Sequence, residues 1–195
     1  MTFKIRNTYV KIKFLFVALL TFLMFASKDG VFMFCYAASM LHELGHIAAV
    51  YLCGDKIDSI VFEVYGILID KHENTSYFQQ IFILLSGPAI NIILGIIFAY
   101  IPVQWCGLFS KVNIVLGIFN LLPINGLDGG EVLLRTVEYF LGFRAANIIS
   151  ICVSILALFP IALVCFYNFL EQKNNYSLII VFLFLVLSVI RSARE

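Results

Sequence analysis

The chain has 195 residues, of which 62% are hydrophobic and 13% charged, and its mean hydropathy is +1.00. Soluble domains carry about 25% charged residues, so this composition excludes an ordinary soluble protein and indicates a polytopic membrane protein. A net charge of +1 gives no sign of nucleic-acid binding. The five cysteines are widely spread and form no C-x-x-C pair, which predicts free thiols rather than disulfides.

The N-terminal region joins a basic segment, residues 1–13, to a short apolar run, residues 14–26. This pattern is similar to that of a signal peptide. However, no clean small-x-small cleavage site follows, and a second hydrophobic segment begins after only four residues, 27–30. We therefore expect an uncleaved first transmembrane helix whose lysines extend to the interface.

The second hydrophobic segment, residues 31–53, is long enough to span a bilayer, and it contains the motif H-E-L-G-H. Residues four apart share one helix face, so His42 and His46 can reach the same ion. Glu43 lies about 100° round the helix, close enough to reach a metal-bound water. Ionisable groups at membrane depth indicate function. A chance match, with histidines that are merely hydrogen-bonded, is the alternative.

Residues 54–76 differ in character from the flanking segments. After Gly54, which breaks the helix, residues 58–70 are rich in β-branched and aromatic side chains with polar ends. This pattern predicts a two-strand hairpin or small sheet at the membrane surface. We expect the following His72 to be a solvated loop residue, because nothing near it has metal-site spacing.

The third expected span, about residues 77–101, contains S-G-P-A-I-N at 86–91. Pro88 removes a backbone hydrogen bond and predicts a kink, and Gly87 permits close helix approach. Asn91 is an uncharged polar group at depth that needs a partner. A packing kink with an interhelical hydrogen bond and a direct role in a site both fit these residues.

The fourth span begins near Trp105 and reaches N-L-L-P-I-N-G-L-D-G-G at 120–130, where Pro123 ends the helix. Asp128 lies between glycines in a segment predicted to be irregular. Such backbone survives near membrane depth only when it is buried in protein or lines a wet cavity. A surface turn also uses Asn-Gly and Asp-Gly, so spacing alone leaves two roles open for Asp128, metal ligand or turn residue.

An amphipathic stretch at 131–141 and two further spans, about 145–169 and 176–190, complete the prediction, with a kink at Pro160. Six spans with a cytoplasmic N-terminus agree with the positive-inside rule. The basic residues then inside are Lys4, Arg6, Lys11, Lys13, Lys56, Lys71, Arg135, Arg144, Arg191 and Arg194. Both termini are cytoplasmic in this topology, and His42, His46 and Asp128 can converge nearer the cytoplasmic side.

These three motifs, in this order and on the second, third and fourth spans, resemble those of the site-2 protease family of intramembrane zinc metalloproteases. The resemblance covers roughly residues 31–131. H-E-x-x-H alone is shared by unrelated metalloproteases, but its combination with the asparagine-to-aspartate motif is quite specific. Without a PDZ-like insertion or room for a nucleotide-binding CBS domain, the chain is similar to the minimal branch that includes the sporulation protease of bacilli. Asn125-Gly126 stands where relatives often have a second proline.

The resemblance implies one all-α integral-membrane protease domain over residues 1–195, with a catalytic core at about 31–131. It implies that one Zn²⁺ ion is bound by His42, His46 and Asp128, and that Glu43 is the catalytic base. Asn120, and also Asn91, would contact the substrate or the transition state. Structural roles are expected for Gly87, Pro88, Pro123 and Gly129.

The implied reaction is hydrolysis of peptide bonds in membrane-embedded or membrane-associated proteins, by Glu-assisted attack of zinc-bound water. A multi-pass location in the cell membrane, single-span substrates and a regulatory membrane protein as partner are expected, with no nucleic acid. One alternative is a zinc-binding membrane protein without proteolysis, such as a transporter or an inactive scaffold. Another is an H-E-x-x-H enzyme whose third ligand is a glutamate, Glu131 or Glu138.

Overall fold

The computed structural model of the chain describes residues 2–5, 8–12, 31–54, 57–63, 66–71, 76–170 and 176–193. The chain divides into two compact units, residues 1–117 and 118–195. The expected first transmembrane helix at 14–26 and His72 lie outside the described residues.

Three helices follow one another from residue 31: α1 (Val31–Leu52), α2 (Tyr77–Ala99) and α3 (Gln104–Asn120), whose last turn crosses into the second unit. A positive φ of 74° at Gly54 follows the end of α1, as expected for a helix-terminating glycine. A capping box begins α2, because the Ser76 N–H donates to the Gln79 side chain over 2.9 Å and the Gln79 N–H donates back to the Ser76 hydroxyl. The helices predicted at 31–53, 77–101 and from about 105 are therefore present, with ends shifted by one or two residues.

Glycines bring the helices of the first unit into backbone contact. A Cβ at Gly45 of α1 would lie 2.9 Å from the Ser86 carbonyl oxygen of α2. A Cβ at Gly117 of α3 would lie 3.0 Å from the Pro88 carbonyl oxygen. Small residues permit such close approach between apolar helices, where dispersion contacts and interhelical hydrogen bonds supply the attraction. As a result, α2 presents its backbone and short side chains directly to α1.

Four strands form a sheet: β1 (Thr2–Ile5), β2 (Thr8–Ile12), β3 (Ile57–Glu63) and β4 (Gly66–Lys71). Neighbours follow the order β1-β2-β3-β4, with β2 and β3 parallel and the other two pairs antiparallel. The segment 58–70 corresponds to β3 and β4. In contrast, β1 and β2 lie in the basic N-terminal region, where the sequence predicted only the flank of a transmembrane helix. The position of the sheet relative to a membrane stays a prediction.

The second unit contains α4 (Asp128–Leu141), α5 (Phe143–Leu170) and α6 (Tyr176–Ser192). Its apolar cluster joins the turn before α4 to the two long helices, and its buried members are Ile124, Leu127, Leu158, Leu185 and Val189. The amphipathic helix begins at Asp128, three residues before the predicted start at 131 (131 − 128). The prediction of an irregular segment through residue 130 was therefore wrong at its end, because Gly129 and Gly130 are helical.

Two of the described helices, Tyr77–Ala99 and Phe143–Asn168, are long and apolar enough to cross a bilayer, and Leu178–Ser192 is a shorter apolar helix. A mean hydropathy of 2.4 and 2.8 in these two helices is typical of segments that face lipid. The total of six spans and the orientation of the termini stay predictions.

Candidate metal centre

The helical spacing of H-E-L-G-H places two buried imidazoles side by side on α1. His42 is 6% exposed and His46 is 8% exposed. Their ring planes meet at 85°, and their Nε2 atoms are 3.2 Å apart. Two nitrogens bound to one tetrahedral zinc ion at 2.0–2.1 Å lie about 3.3 Å apart. The pair therefore has the spacing of two ligands of a single ion.

Helix α2 holds both rings by their other nitrogen. The Nδ1 of His42 lies 2.9 Å from Oδ1 of Asn91, and the Nδ1 of His46 lies 2.8 Å from the carbonyl oxygen of Ile83. A carbonyl oxygen can only accept, so the proton of the His46 ring is on Nδ1. An outer-shell acceptor of this kind fixes both the tautomer and the orientation of a metal-binding imidazole.

The orientation of the Asn91 amide is set in turn by two acceptors. Its Nδ2 donates to the carbonyl oxygen of Ala38 over 3.1 Å and to Oδ1 of Asn113 over 3.0 Å. Asn113 then donates from Nδ2 to the carbonyl oxygen of Phe109 over 2.9 Å. Oδ1 of Asn91 is left facing His42, so the His42 ring also carries its proton on Nδ1.

This chain of hydrogen bonds fixes what the two Nε2 atoms can do. In neutral imidazoles that are protonated on Nδ1, each Nε2 carries a lone pair. Two lone pairs at 3.2 Å repel each other, whereas a cation between them binds both. The donor set and its outer shell thus fit a metal ion.

Asn91 is 0% exposed, and so is Asn113. Asn91 therefore lies behind His42, where it orients the ring. The sequence analysis missed Asn113, whose only signal there was an amide in the middle of the apolar helix α3.

The S-G-P motif of α2 shapes the side of the site opposite α1. Pro88 lacks the N–H that would bond the Leu84 carbonyl, which loosens this turn of the helix. The Ser86 hydroxyl lies 2.5 Å from the Ile83 carbonyl oxygen and 3.0 Å from that of Gly45, so it ties α2 to α1. Pro88 thus frees the Leu84 carbonyl, whereas the Ile83 carbonyl lies within hydrogen-bond distance of both the Ser86 hydroxyl and Nδ1 of His46.

Gly87 faces the two imidazoles directly. A Cβ at this position would lie 3.0 Å from Cε1 of His42 and would overlap Nε2 of His46. The requirement here is steric, since any side chain would fill the space in which an ion meets the rings. The sequence predicted close helix approach for this glycine but not its contact with the histidines.

Asp128 is the first residue of α4, with Leu127 as the N-cap. It is half-buried, and one of its carboxylate oxygens is fully buried. The positive end of the helix dipole favours a carboxylate in this first turn. The next two residues must be glycine, because a Cβ at Gly129 would lie 2.7 Å from the Leu122 carbonyl oxygen and one at Gly130 would lie 2.7 Å from the Asn125 nitrogen.

His42 and His46 of the first unit are the two imidazole ligands predicted from the sequence, and Asp128 of the second unit stays the predicted third ligand. Two imidazoles and a carboxylate are a set that suits a divalent transition metal and leaves a further position open.

The two glutamates considered as alternative ligands have another partner. Arg135 of α4 donates to Glu138 over 2.9 Å and lies 3.9 Å from Glu131. The remaining residues predicted for the site are half-buried, namely Glu43, Asn120 and Pro123. Glu43 adjoins His42 on α1, and Asn120 is the last residue of α3; their roles stay predictions.

Comparison with known proteins finds similarity to peptidases. A model of peptidase family M50 matches residues 102–163. A zinc metalloprotease candidate of Synechocystis sp. is 31% identical over 125 residues, which are 58% of this chain and 33% of that protein. Stage IV sporulation protein FB of Bacillus subtilis is 26% identical over 164 residues, which are 80% of this chain and 56% of that protein. The chain thus spans less than two thirds of the length of these relatives.

Among solved structures, the site-2 protease from Methanocaldococcus jannaschii has the same fold. The TM-score is 0.69 at 23% identity, over 100% of this chain and 95% of that one. The chain therefore shares the fold of this protease and is similar, over part of its length, to peptidase family M50 and to zinc metalloproteases. This is the similarity that its three motifs predicted.

We predict that Gly87→Ala abolishes most metal binding without unfolding the protein. The new methyl group would occupy the space beside both imidazoles, whereas alanine in a helix is favoured over glycine by about 1 kcal/mol. Gly107→Ala on α3 is the matched control, because nothing lies within 4 Å of its Cβ position. Metal content and thermal unfolding of detergent-purified protein measure the two effects. Full metal content in Gly87→Ala would contradict the assignment.

Proposed function

We propose that the chain is an intramembrane zinc metalloprotease that hydrolyses peptide bonds of membrane-embedded or membrane-associated proteins. The observation that carries this proposal is the 3.2 Å approach of the His42 and His46 Nε2 atoms, both oriented through Nδ1, on a helix that also bears Glu43. The names of the relatives as zinc metalloproteases support zinc as the ion.

In this proposal the zinc ligands are His42, His46 and Asp128. A single net charge of −1 from the carboxylate partly balances the divalent ion, and the neutral imidazoles leave it strongly Lewis acidic. The ion pairs of Arg135 with Glu131 and Glu138 favour Asp128 over either glutamate as the third ligand.

Bound zinc would supply a Lewis acid that polarises the scissile carbonyl and lowers the pKa of water at the open position towards ~7. Glu43 takes the proton of the attacking water and returns it to the leaving amine. Asn120 donates a hydrogen bond to the oxyanion that develops on the substrate. Asn91 acts on the reaction only through the orientation of His42.

The proposed substrate is a transmembrane segment that unwinds locally, since a helical peptide bond is shielded by its own hydrogen bonds. Strand addition at the sheet is the proposed way in which the unwound part is held. Strand β4 is suited to this role because it lies at the end of the β1-β2-β3-β4 order. We further propose a six-span topology in the cell membrane with cytoplasmic termini and a regulatory membrane protein as partner.

We predict that Asp128→Asn loses most of its bound zinc, whereas Glu138→Gln retains it. Removing the anionic ligand deprives the site of its charge, while Glu138 is committed to Arg135. Zinc quantification on both purified variants decides between the two ligand sets. If Asp128→Asn retained zinc and Glu138→Gln lost it, the third ligand would be Glu138 rather than Asp128.

We predict that Glu43→Gln keeps its zinc but cleaves candidate single-span substrates at least about 100-fold more slowly, the usual contribution of a general base. A cleavage assay in detergent with parent and variant measures the effect. Equal rates would overturn the assignment of Glu43. Zinc binding by a parent that cleaves no substrate would favour the non-proteolytic alternative.

We predict that Ile69→Pro slows cleavage about tenfold with unchanged zinc content, a loss of roughly 1.4 kcal/mol in transition-state binding. Because Glu63 pairs with Gly66 across a two-residue connection, Ile69 falls at a non-hydrogen-bonded position and its N–H points away from β3. Proline is tolerated at such edge positions. Ile69→Val retains the N–H and serves as control. Cleavage by Ile69→Pro at the rate of Ile69→Val would exclude strand addition there.

A further inference from the structure

The turn that leads into α4 contains a buried asparagine for which the proposed chemistry has no use. Asn125 is 2% exposed. The Leu127 N–H donates to the Ile124 carbonyl over 3.0 Å, and Gly126 has a φ of 94°, which is the pattern of a type II turn. The Leu127 carbonyl then accepts the first hydrogen bond of α4, from the Glu131 N–H. Leu127 therefore takes part in both the turn and the first turn of α4, so a shift of the turn also shifts the start of the helix.

Every polar group of Asn125 is bonded to a serine of α5 or α6. Its N–H donates to Oγ of Ser154 over 2.9 Å, and its carbonyl accepts from Oγ of Ser188 over 2.8 Å. Its Nδ2 donates to Oγ of Ser192 over 2.8 Å, and its Oδ1 accepts from Oγ of Ser150. We call these four residues the serine clamp.

The clamp has a regular origin in the sequence. Ser150 and Ser154 are four residues apart on α5, and Ser188 and Ser192 are four apart on α6, so each pair shares one helix face. Two serine hydroxyls donate to Asn125 and two accept from it, and each of the two helices supplies one of each kind. A slide of either helix along its axis would break two hydrogen bonds at once. Buried networks of this kind specify one register, because an unsatisfied buried polar group is strongly unfavourable.

Packing alone would not require these polar groups. The apolar cluster of the second unit already joins Ile124 and Leu127 to Leu158, Leu185 and Val189. Apolar contacts are non-directional, so they permit small shifts of the turn, whereas hydrogen bonds to both the backbone and the side chain of Asn125 do not. Gly126 adds to this restriction, since a Cβ there would overlap Oγ of Ser188.

We propose that Asn125 and the serine clamp are positioning residues for Asp128. The clamp fixes the turn, the turn fixes where α4 begins, and Asp128 is the first residue of that helix. The last helix of the chain, α6, thereby contributes to the geometry of the metal ligand through Ser188 and Ser192. This inference rests on the proposed function, because it gives Asp128 the role of ligand.

The test compares Ser192→Ala with Ser192→Thr in the full chain, purified in detergent. Ser192 is half-buried rather than fully enclosed, and threonine restores the hydroxyl there. The matched control is Ser110→Ala, which removes a buried serine that donates to the Gly95 carbonyl over 2.6 Å, outside the clamp. Zinc affinity is measured by chelator competition. Amide hydrogen exchange over residues 121–131 and thermal unfolding are measured on zinc-free protein.

We expect Ser192→Ala to bind zinc three- to tenfold more weakly and to exchange amide hydrogens faster across 121–131. Ser192→Thr should restore both properties, and Ser110→Ala should lower thermal stability without changing either. Parent-like affinity and exchange in Ser192→Ala would overturn the proposal, as would a Ser192→Thr variant that is as defective as the alanine. A parent chain without zinc affinity would refute the proposed function alone, since exchange in zinc-free protein still decides the role of the clamp.

Discussion

The approach of two imidazole nitrogens to 3.2 Å is the constraint on which the rest of this structure depends. Neutral rings tolerate that distance only if both lone pairs share a cation and both rings are prevented from turning away. Helix α1 supplies the spacing, and α2 supplies the two acceptors for Nδ1, Asn91 and the Ile83 carbonyl. These acceptors can reach the rings only because Gly45 and Gly87 allow the two helices to meet backbone to backbone. The glycines are thus needed for the same result as the histidine spacing, which is to hold the two Nε2 atoms beside each other.

The same logic extends one layer outward. Asn91 depends on Asn113, which depends on a backbone carbonyl of its own helix, so the hydrogen-bond chain ends at groups that helix geometry already fixes. In the second unit, Asn125 holds the start of α4 through side chains of α5 and α6. In both units the chain uses buried amides and hydroxyls, which are uncharged, to orient the ionisable groups. Such groups are less unfavourable at membrane depth than additional charges would be.

The sequence predicted the features that depend on local periodicity. The spacing of His42 and His46 required only a helix, and the helix ends near Gly54 and Trp105 followed from composition. Features that depend on tertiary contacts were missed. The roles of Asn113 and of the serines could not be assigned, because their partners are distant in sequence. The D-G-G segment was interpreted as irregular because glycine disfavours helix, whereas those glycines are helical and lie against the backbone of the preceding turn. Strands β1 and β2 were missed because basic residues beside an apolar run indicated a transmembrane flank.

Fixed imidazole tautomers have a consequence for how the protein acquires its ion. A histidine that is free to rotate can present either nitrogen, and ordering it on binding reduces affinity through lost side-chain entropy. Here helix packing orders both rings as the protein folds, and neither can turn over without breaking a buried hydrogen bond. The site is therefore preorganised, so an arriving ion has little rearrangement to drive. A small loosening of the contact between α1 and α2 would therefore lower the affinity for the ion before the two helices separated.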